Sequence, residues 1–176
     1  MNVENKKREV LLSKASIDER ITVLGKTLTE AYKDKNLLVI SLLKGSFIFT
    51  ADLVRKIDLP VRIEFMTTSS YGHDEESSGH VKVIQDLHVD LTDFDVLIVD
   101  DITDSALTMT GVIEILSKRK PKSIKACVLL DKPSRRKVEY VPDYVGFEIP
   151  DMFIVGYGLN YGDYFRNVDH VFAFVD

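Results

Sequence analysis

Between Ser16 and Lys33 the apolar positions fall at Ile17, Ile21, Leu24, Leu28 and Ala31, steps of three and four that line one side of a helix. A short apolar run, LLVISLL, follows over Leu37 to Leu43. A strand buried on both faces of a parallel sheet needs such a run. Residues Ser46 to Ile57 suit a helix, and Val61 to Thr67, after Pro60, a second strand, so the order is strand, helix, strand of a βαβ unit. Thr68 to Gly79 is polar, carries two glycines and has no apolar period, which predicts a long exposed loop, either a lid or a plain hairpin tip. His80 to Leu87 is a possible strand, and Asp95 to Asp101, DVLIVDD, reads as a central strand ending in paired acids. Helical spacing returns over Thr108 to Lys118 at Met109, Val112, Ile113 and Leu116, and Ser123 to Leu130 is a further apolar strand. This alternation predicts an α/β fold with a doubly wound sheet. Ligands of such sheets bind beyond the carboxyl ends of the strands, which directs attention to the loops beginning at Leu43, Thr67, Asp100 and Asp131.

Composition narrows the classes. With 176 residues, 45% of them hydrophobic, and no internal repeat or low-complexity tract, the chain suits one compact domain, residues 1–176. A formal net charge of −5 argues against a broad nucleic-acid-binding face. The N-terminal MNVENKKREV has no apolar core like that of a secretory signal, and no apolar run approaches the roughly 20 residues that span a bilayer. Cys127 is the only cysteine, so no intramolecular disulfide forms and a reducing cytoplasmic setting is expected. Cys127 reads as core. The four histidines, His73, His80, His88 and His170, show no metal-ligand spacing.

The chemistry concentrates in Val96 to Thr110, VLIVDDITDSALTMT, where acids, hydroxyls and a small residue lie between a buried strand and a helix start. Unpaired N–H groups and the positive dipole end at a helix N-terminus suit a phosphate, with Ser105 and Thr108 hydroxyls beside them. The small Ala106 lets an anion approach the backbone. Asp100, Asp101 and Asp104 would repel that anion unless ribose hydroxyls and a magnesium ion lay between. Alternatively, the same acids are strand-end and helix-cap residues satisfied by N–H groups and solvent.

The whole string resembles the phosphoribosyl pyrophosphate motif of type I phosphoribosyltransferases: a hydrophobic strand, two acids, two residues, then a hydroxyl-rich phosphate loop. An aspartate four residues after the first acid, Asp104, points to the hypoxanthine-guanine branch. Leu42 to Ser46 resembles that branch's pyrophosphate loop, Ser69 to Gly72 its lid, Leu129 to Pro133 its base-binding lysine segment, and Ile149 to Arg166, IPDMFIVGYGLNYGDYFR, its C-terminal base and pyrophosphate segment. The resemblance implies the type I phosphoribosyltransferase fold, a central parallel sheet flanked by helices, with a small hood from the N-terminal residues and about 145–176. It also implies an enzyme of purine salvage that joins hypoxanthine or guanine to the ribose 5-phosphate of phosphoribosyl pyrophosphate, with Mg2+.

Roles follow by the same resemblance. Asp104 is the general base at the purine imidazole ring. Asp100 and Asp101 hold ribose hydroxyls and magnesium, although the family usually has glutamate at the first position. Ser105, Ala106, Leu107 and Thr108 form the 5′-phosphate loop; many members have glycine at Ala106, and the expectation is that alanine serves there with a negative φ. Lys44 and Gly45 face pyrophosphate, with a non-proline cis peptide between Leu43 and Lys44, and Arg166 adds a planar donor. Lys132 donates to the 6-oxo group and so disfavours a 6-amino purine. Phe153 stacks on the base and Ile154 offers backbone groups to its edge. Ser70 and Tyr71 belong to the lid. Asn160 stands where the family typically has an aspartate near magnesium, which implies weaker metal binding, testable by a magnesium titration against Asn160→Asp. Relatives form homodimers or homotetramers. A different reading, a non-catalytic nucleotide-sensing regulator on the same fold, draws on Asn160 and Ala106 but sits poorly with Asp104, Lys132 and Lys44.

Overall fold

The computed structural model describes residues 7–70 and 81–175, save the side chain of Ser70. Strand β1 (Lys7–Leu12) leads into helix α1 (Lys14–Ala31), whose Ser13 hydroxyl accepts the Ser16 N–H at 3.1 Å as an N-cap. Then come β2 (Leu37–Leu43), α2 (Phe47–Val54), β3 (Arg62–Ser70), β4 (Val81–Gln85), β5 (Asp95–Thr103), α3 (Leu107–Ser117) and β6 (Ser123–Asp131). A single 3₁₀ turn, Pro133–Arg135, precedes β7 (Tyr144–Glu148), β8 (Ile154–Val155) and β9 (Val171–Val175).

The main sheet has the order β4-β3-β2-β5-β6-β7. Its pairs are parallel from β3 to β7, and only β4 runs antiparallel. The apolar run of β2 explains its central place: Leu37 and Val39 pack with α1 and α2 on one face, while Leu38, Ile40 and Leu42 pack with Met109, Val112 and Leu116 of α3 on the other. Every second residue therefore meets a different helical layer. The α/β fold with a largely parallel sheet between helices is what the alternation predicted.

Two boundaries differ from the sequence reading. Strand β3 runs past Thr67, because Ser69 and Ser70 pair with Lys82 and Val81 of β4; polarity alone does not separate a hairpin arm at a sheet edge from a loop. The rest of the expected loop, from Tyr71 to Gly79, lies outside the described residues. Residues 145–148, expected in the hood, run in the main sheet as part of β7. The second, three-stranded sheet joins β1, β9 and β8, so residues from both ends of the described chain meet in it.

The turn leaving β2 is held from below. Ser41 is buried and its Oγ lies 2.8 Å from both Ser46 Oγ and Thr50 Oγ1, while Ser46 Oγ donates to Leu42 O at 2.6 Å. Buried hydroxyls need such partners, and these fasten the start of α2 to the strand before it.

Candidate active site

Strand β5 ends in the acids and turn that the sequence singled out, and residues 100–106 with Thr108 and Met109 enclose a cavity of about 190 Å³. Asp100 Oδ1 accepts the N–H of Asp101 at 2.9 Å, and Asp101 Oδ1 accepts that of Ile102 at 2.8 Å. Burial raises the Asp100 pKa well above the usual carboxylate value, and the charge of Asp101 adds to the effect. Burial also raises that of Asp101, opposed by hydrogen bonds and by the positive charge of Arg166. Asp104 is exposed and its Oδ1 accepts the N–H of Ser105.

The next turn corrects one expectation. Ala106 has φ +66° and ψ 0°, in the left-handed region, where a negative φ was expected. A residue with a β-carbon costs roughly 1–2 kcal/mol there, and alanine has the smallest side chain that can take the position. The turn is what reverses the chain into α3. Helix α3 has no side-chain cap from its N-cap residue, Ala106, so apart from a long bond from Leu107 N to Ser105 its first N–H groups are left without a capping side chain. Ser105 Oγ accepts only from Leu107 N, at 3.4 Å. Asp104 is therefore not the helix cap.

The loop after β2 meets the same acids. The Leu43–Lys44 peptide is cis, as the resemblance implied, and the Lys44 side chain is exposed. A β-carbon added at Gly45 would lie 1.7 Å from Asp101 Oδ2, so any larger residue there would push that carboxylate aside. Gly158, with φ +100°, packs in turn against Gly45: an added carbon would sit 2.1 Å from Gly45 O. Arg166 Nη1 donates to Gly158 O at 2.6 Å. Lys44, Gly45, Asp101 and Arg166, far apart in sequence, are thus joined in one cluster through Gly158, a residue the sequence reading passed over. Its signal was there in the paired glycines of Gly156-Tyr157-Gly158.

The base segment lies across the turn. Lys132 is buried, its N–H donates to Thr103 O at 2.9 Å, and its Nζ donates to Met152 O at 2.6 Å. The next residue, Phe153, is 61% exposed with its ring edge-on to Tyr161 at 5.8 Å, while Ile154 is buried in β8. An exposed ring beside a buried lysine is an arrangement that can take a flat heterocycle. Asn160 is exposed and its amide donates to Gly162 O, across a short turn. Of the lid residues, Ser70 ends β3 and Tyr71 lies outside the described residues. Arg136, also missed, ties the two segments together by hydrogen bonds to the carbonyls of Thr103 and Asp104. In sequence it is one more basic residue in KPSRRK and carries no distinguishing mark.

Among the described residues no group of three or more His, Cys, Asp or Glu could hold a metal. Two adjacent carboxylates whose pKa values are raised do fit magnesium, which takes one or two protein carboxylates and completes its shell with water and substrate phosphates.

Residues 9–162 match the phosphoribosyl transferase domain family. The chain is 46% identical over 175 residues to the hypoxanthine-guanine phosphoribosyltransferase of Aquifex aeolicus, covering 99% of this chain and 98% of that one. It is 47% identical over 165 residues to the hypoxanthine phosphoribosyltransferase of Salmonella typhimurium, covering 93% of each. The crystal structure of a hypoxanthine phosphoribosyltransferase from Staphylococcus aureus superposes with a TM-score of 0.93 at 41% identity, over 99% of this chain and 96% of that one. The chain therefore belongs to the phosphoribosyltransferase family, among its hypoxanthine-guanine members.

Proposed function

We propose that the protein transfers the phosphoribosyl group of phosphoribosyl pyrophosphate to hypoxanthine or guanine, releasing pyrophosphate, in purine salvage. The observation that carries this reading is the convergence of the open N-terminus of α3, the acids Asp100, Asp101 and Asp104, and buried Lys132 on one end of the sheet. The 5′-phosphate fits the turn Ser105 to Thr108, where N–H groups and the helix dipole favour an anion. Ribose hydroxyls fit Asp100 and Asp101.

In the reaction a purine ring nitrogen attacks the anomeric carbon, the bond from that carbon to pyrophosphate breaks, and the nitrogen's proton leaves. Asp104, exposed at the end of the turn, is the group that accepts that proton in this reading. Lys44 and Arg166 face the departing pyrophosphate, and Arg166 is anchored by Gly158 O. Magnesium, held by Asp100 and Asp101 with Asn160 as a further oxygen ligand, would offset the negative charge of the leaving group. The Lys132 ammonium donates to Met152 O and has donors left for a 6-oxo group; a 6-amino group would set donor against donor.

We further propose that the protein works in the cytoplasm as a homodimer or homotetramer. Its apolar side chains Phe47, Ile63, Phe65 and Ile84 are exposed in the single chain, which supports association. Neither nucleic acid nor a membrane is a proposed partner, and no helix among the described residues is long and apolar enough to cross a membrane.

The test supplies purified protein with phosphoribosyl pyrophosphate, magnesium and one base at a time. Nucleotide and pyrophosphate should form in equal amounts with hypoxanthine or guanine, and kcat/KM with adenine should be lower by about a thousandfold or more, the scale set by leaving buried polar groups mismatched. Equal turnover of adenine would remove Lys132 from its role; no turnover of any base would leave the regulator reading.

A further inference from the structure

Arg136 lies outside every segment to which the resemblance gives a role, yet its side chain bonds to both walls of the site. Nη1 donates to Asp104 O at 2.8 Å and to Thr103 O at 3.2 Å, at the exit of β5. Nη2 reaches Asp131 Oδ1, at the end of β6, and Nε donates to Tyr140 O at 2.9 Å. The Arg136 side chain is only 15% exposed and that of Asp131 8%. Around it the backbone adds two more ties between the same segments: Lys132 N to Thr103 O at 2.9 Å and Lys137 N to Ser105 O at 3.0 Å.

We propose that Arg136 is a positioning residue that fixes the phosphate turn, and Asp104 with it, against the base-binding Lys132. The inference rests on the reading above, since it assigns Arg136 to the reaction only through those two residues. The physical reason is geometric. The carbonyls of Thr103 and Asp104 leave the sheet just before the left-handed Ala106, where the chain reverses into α3. A planar fork with donors on three nitrogens can hold those carbonyls, a carboxylate and a further carbonyl at once; an ammonium at the same place is a single point charge. With the fork in place, the group that takes the purine proton and the group that binds the purine oxygen are set at a fixed separation. A shift of about 1 Å in such a pair costs on the order of a hundredfold in rate.

Arg136→Lys separates this role from a merely structural ion pair. Lysine keeps the charge opposite Asp131 but cannot span the two carbonyls and Tyr140 O. Initial rates with both substrates varied, together with thermal unfolding, should show a kcat at least tenfold below the parent, with a smaller change in KM for hypoxanthine and an unfolding midpoint close to the parent's. A kcat within twofold of the parent overturns the proposal. Should Arg136→Lys fail to fold, Arg136→Gln decides: its amide can meet one of the two carbonyls but not both, so a tenfold loss of kcat supports the proposal and a kcat within twofold of the parent contradicts it. A parent that forms no nucleotide removes the functional reading and this inference with it, whereas an active parent beside an unaffected Arg136→Lys removes the inference alone.

Discussion

Asp100 shows what the site costs the fold. Its pKa is raised by burial and then by the neighbouring Asp101, with no cation close enough to reverse the shift. A carboxyl whose folded pKa lies above its unfolded one stabilises the fold fully below the unfolded value, about 3.9, and that contribution is lost as pH rises through the folded value. Asp100→Asn removes the titration while keeping the shape. In metal-free buffer the variant should therefore gain on the parent in urea unfolding as pH is raised from 5 to 8. A difference between the two that does not change with pH would refute the assignment. The same residue scale marks the reach of the sequence. DVLIVDD, Asp104 and Lys132 stand out in it because their types and spacing are chemical statements. Arg136 does not, and Gly158 shows only as one of a glycine pair: the arginine matters for carbonyls more than thirty residues away, the glycine for the carbon it lacks against Gly45 O. The conformation of Ala106 was likewise closed to sequence reasoning, since alanine gives no hint of a positive φ.

At the scale of elements, period was a good guide where an element is buried on a consistent face. Helix α1 and strands β2, β5 and β6 begin and end within a few residues of their expected bounds, because their apolar faces pack against the two layers of core. It failed where strands are short or half-exposed. β1, β8 and β9 form a small sheet of their own and β7 an edge of the main one, and short or half-exposed strands carry too little alternation to be read. Local capping is the other element-scale force. Ser13 accepts the Ser16 N–H at the start of α1, with the Ser16 hydroxyl donating to Ser13 O at 2.9 Å. Ser13→Ala should cost about 1 kcal/mol, a fall of roughly 2–4 °C in the unfolding midpoint for a chain of this size. Differential scanning calorimetry reads that shift, and an unchanged midpoint would show that the cap contributes nothing.

Across the whole molecule, one end of a mostly parallel sheet gathers the working groups. The loop after β2 brings Lys44 and Gly45, the turn after β5 brings Asp100 to Thr108, the segment after β6 brings Lys132, and the segment between β7 and β9 brings Phe153 and Arg166. Sequence separations of 113 and 29 residues are closed by contacts between backbone atoms: Gly158 against Gly45 O, Lys132 N to Thr103 O. This gathering follows from strands that run the same way, so that their carboxyl ends share an edge. A crystal structure of the protein with inosine 5′-monophosphate bound would examine that gathering in one image. The 5′-phosphate should lie within hydrogen-bond distance of the N–H groups of Ser105 to Thr108, the ribose hydroxyls beside Asp100 and Asp101, and the 6-oxo group at Lys132 Nζ. A nucleotide bound elsewhere, with the turn after β5 left without its phosphate, would contradict the assignment of the site.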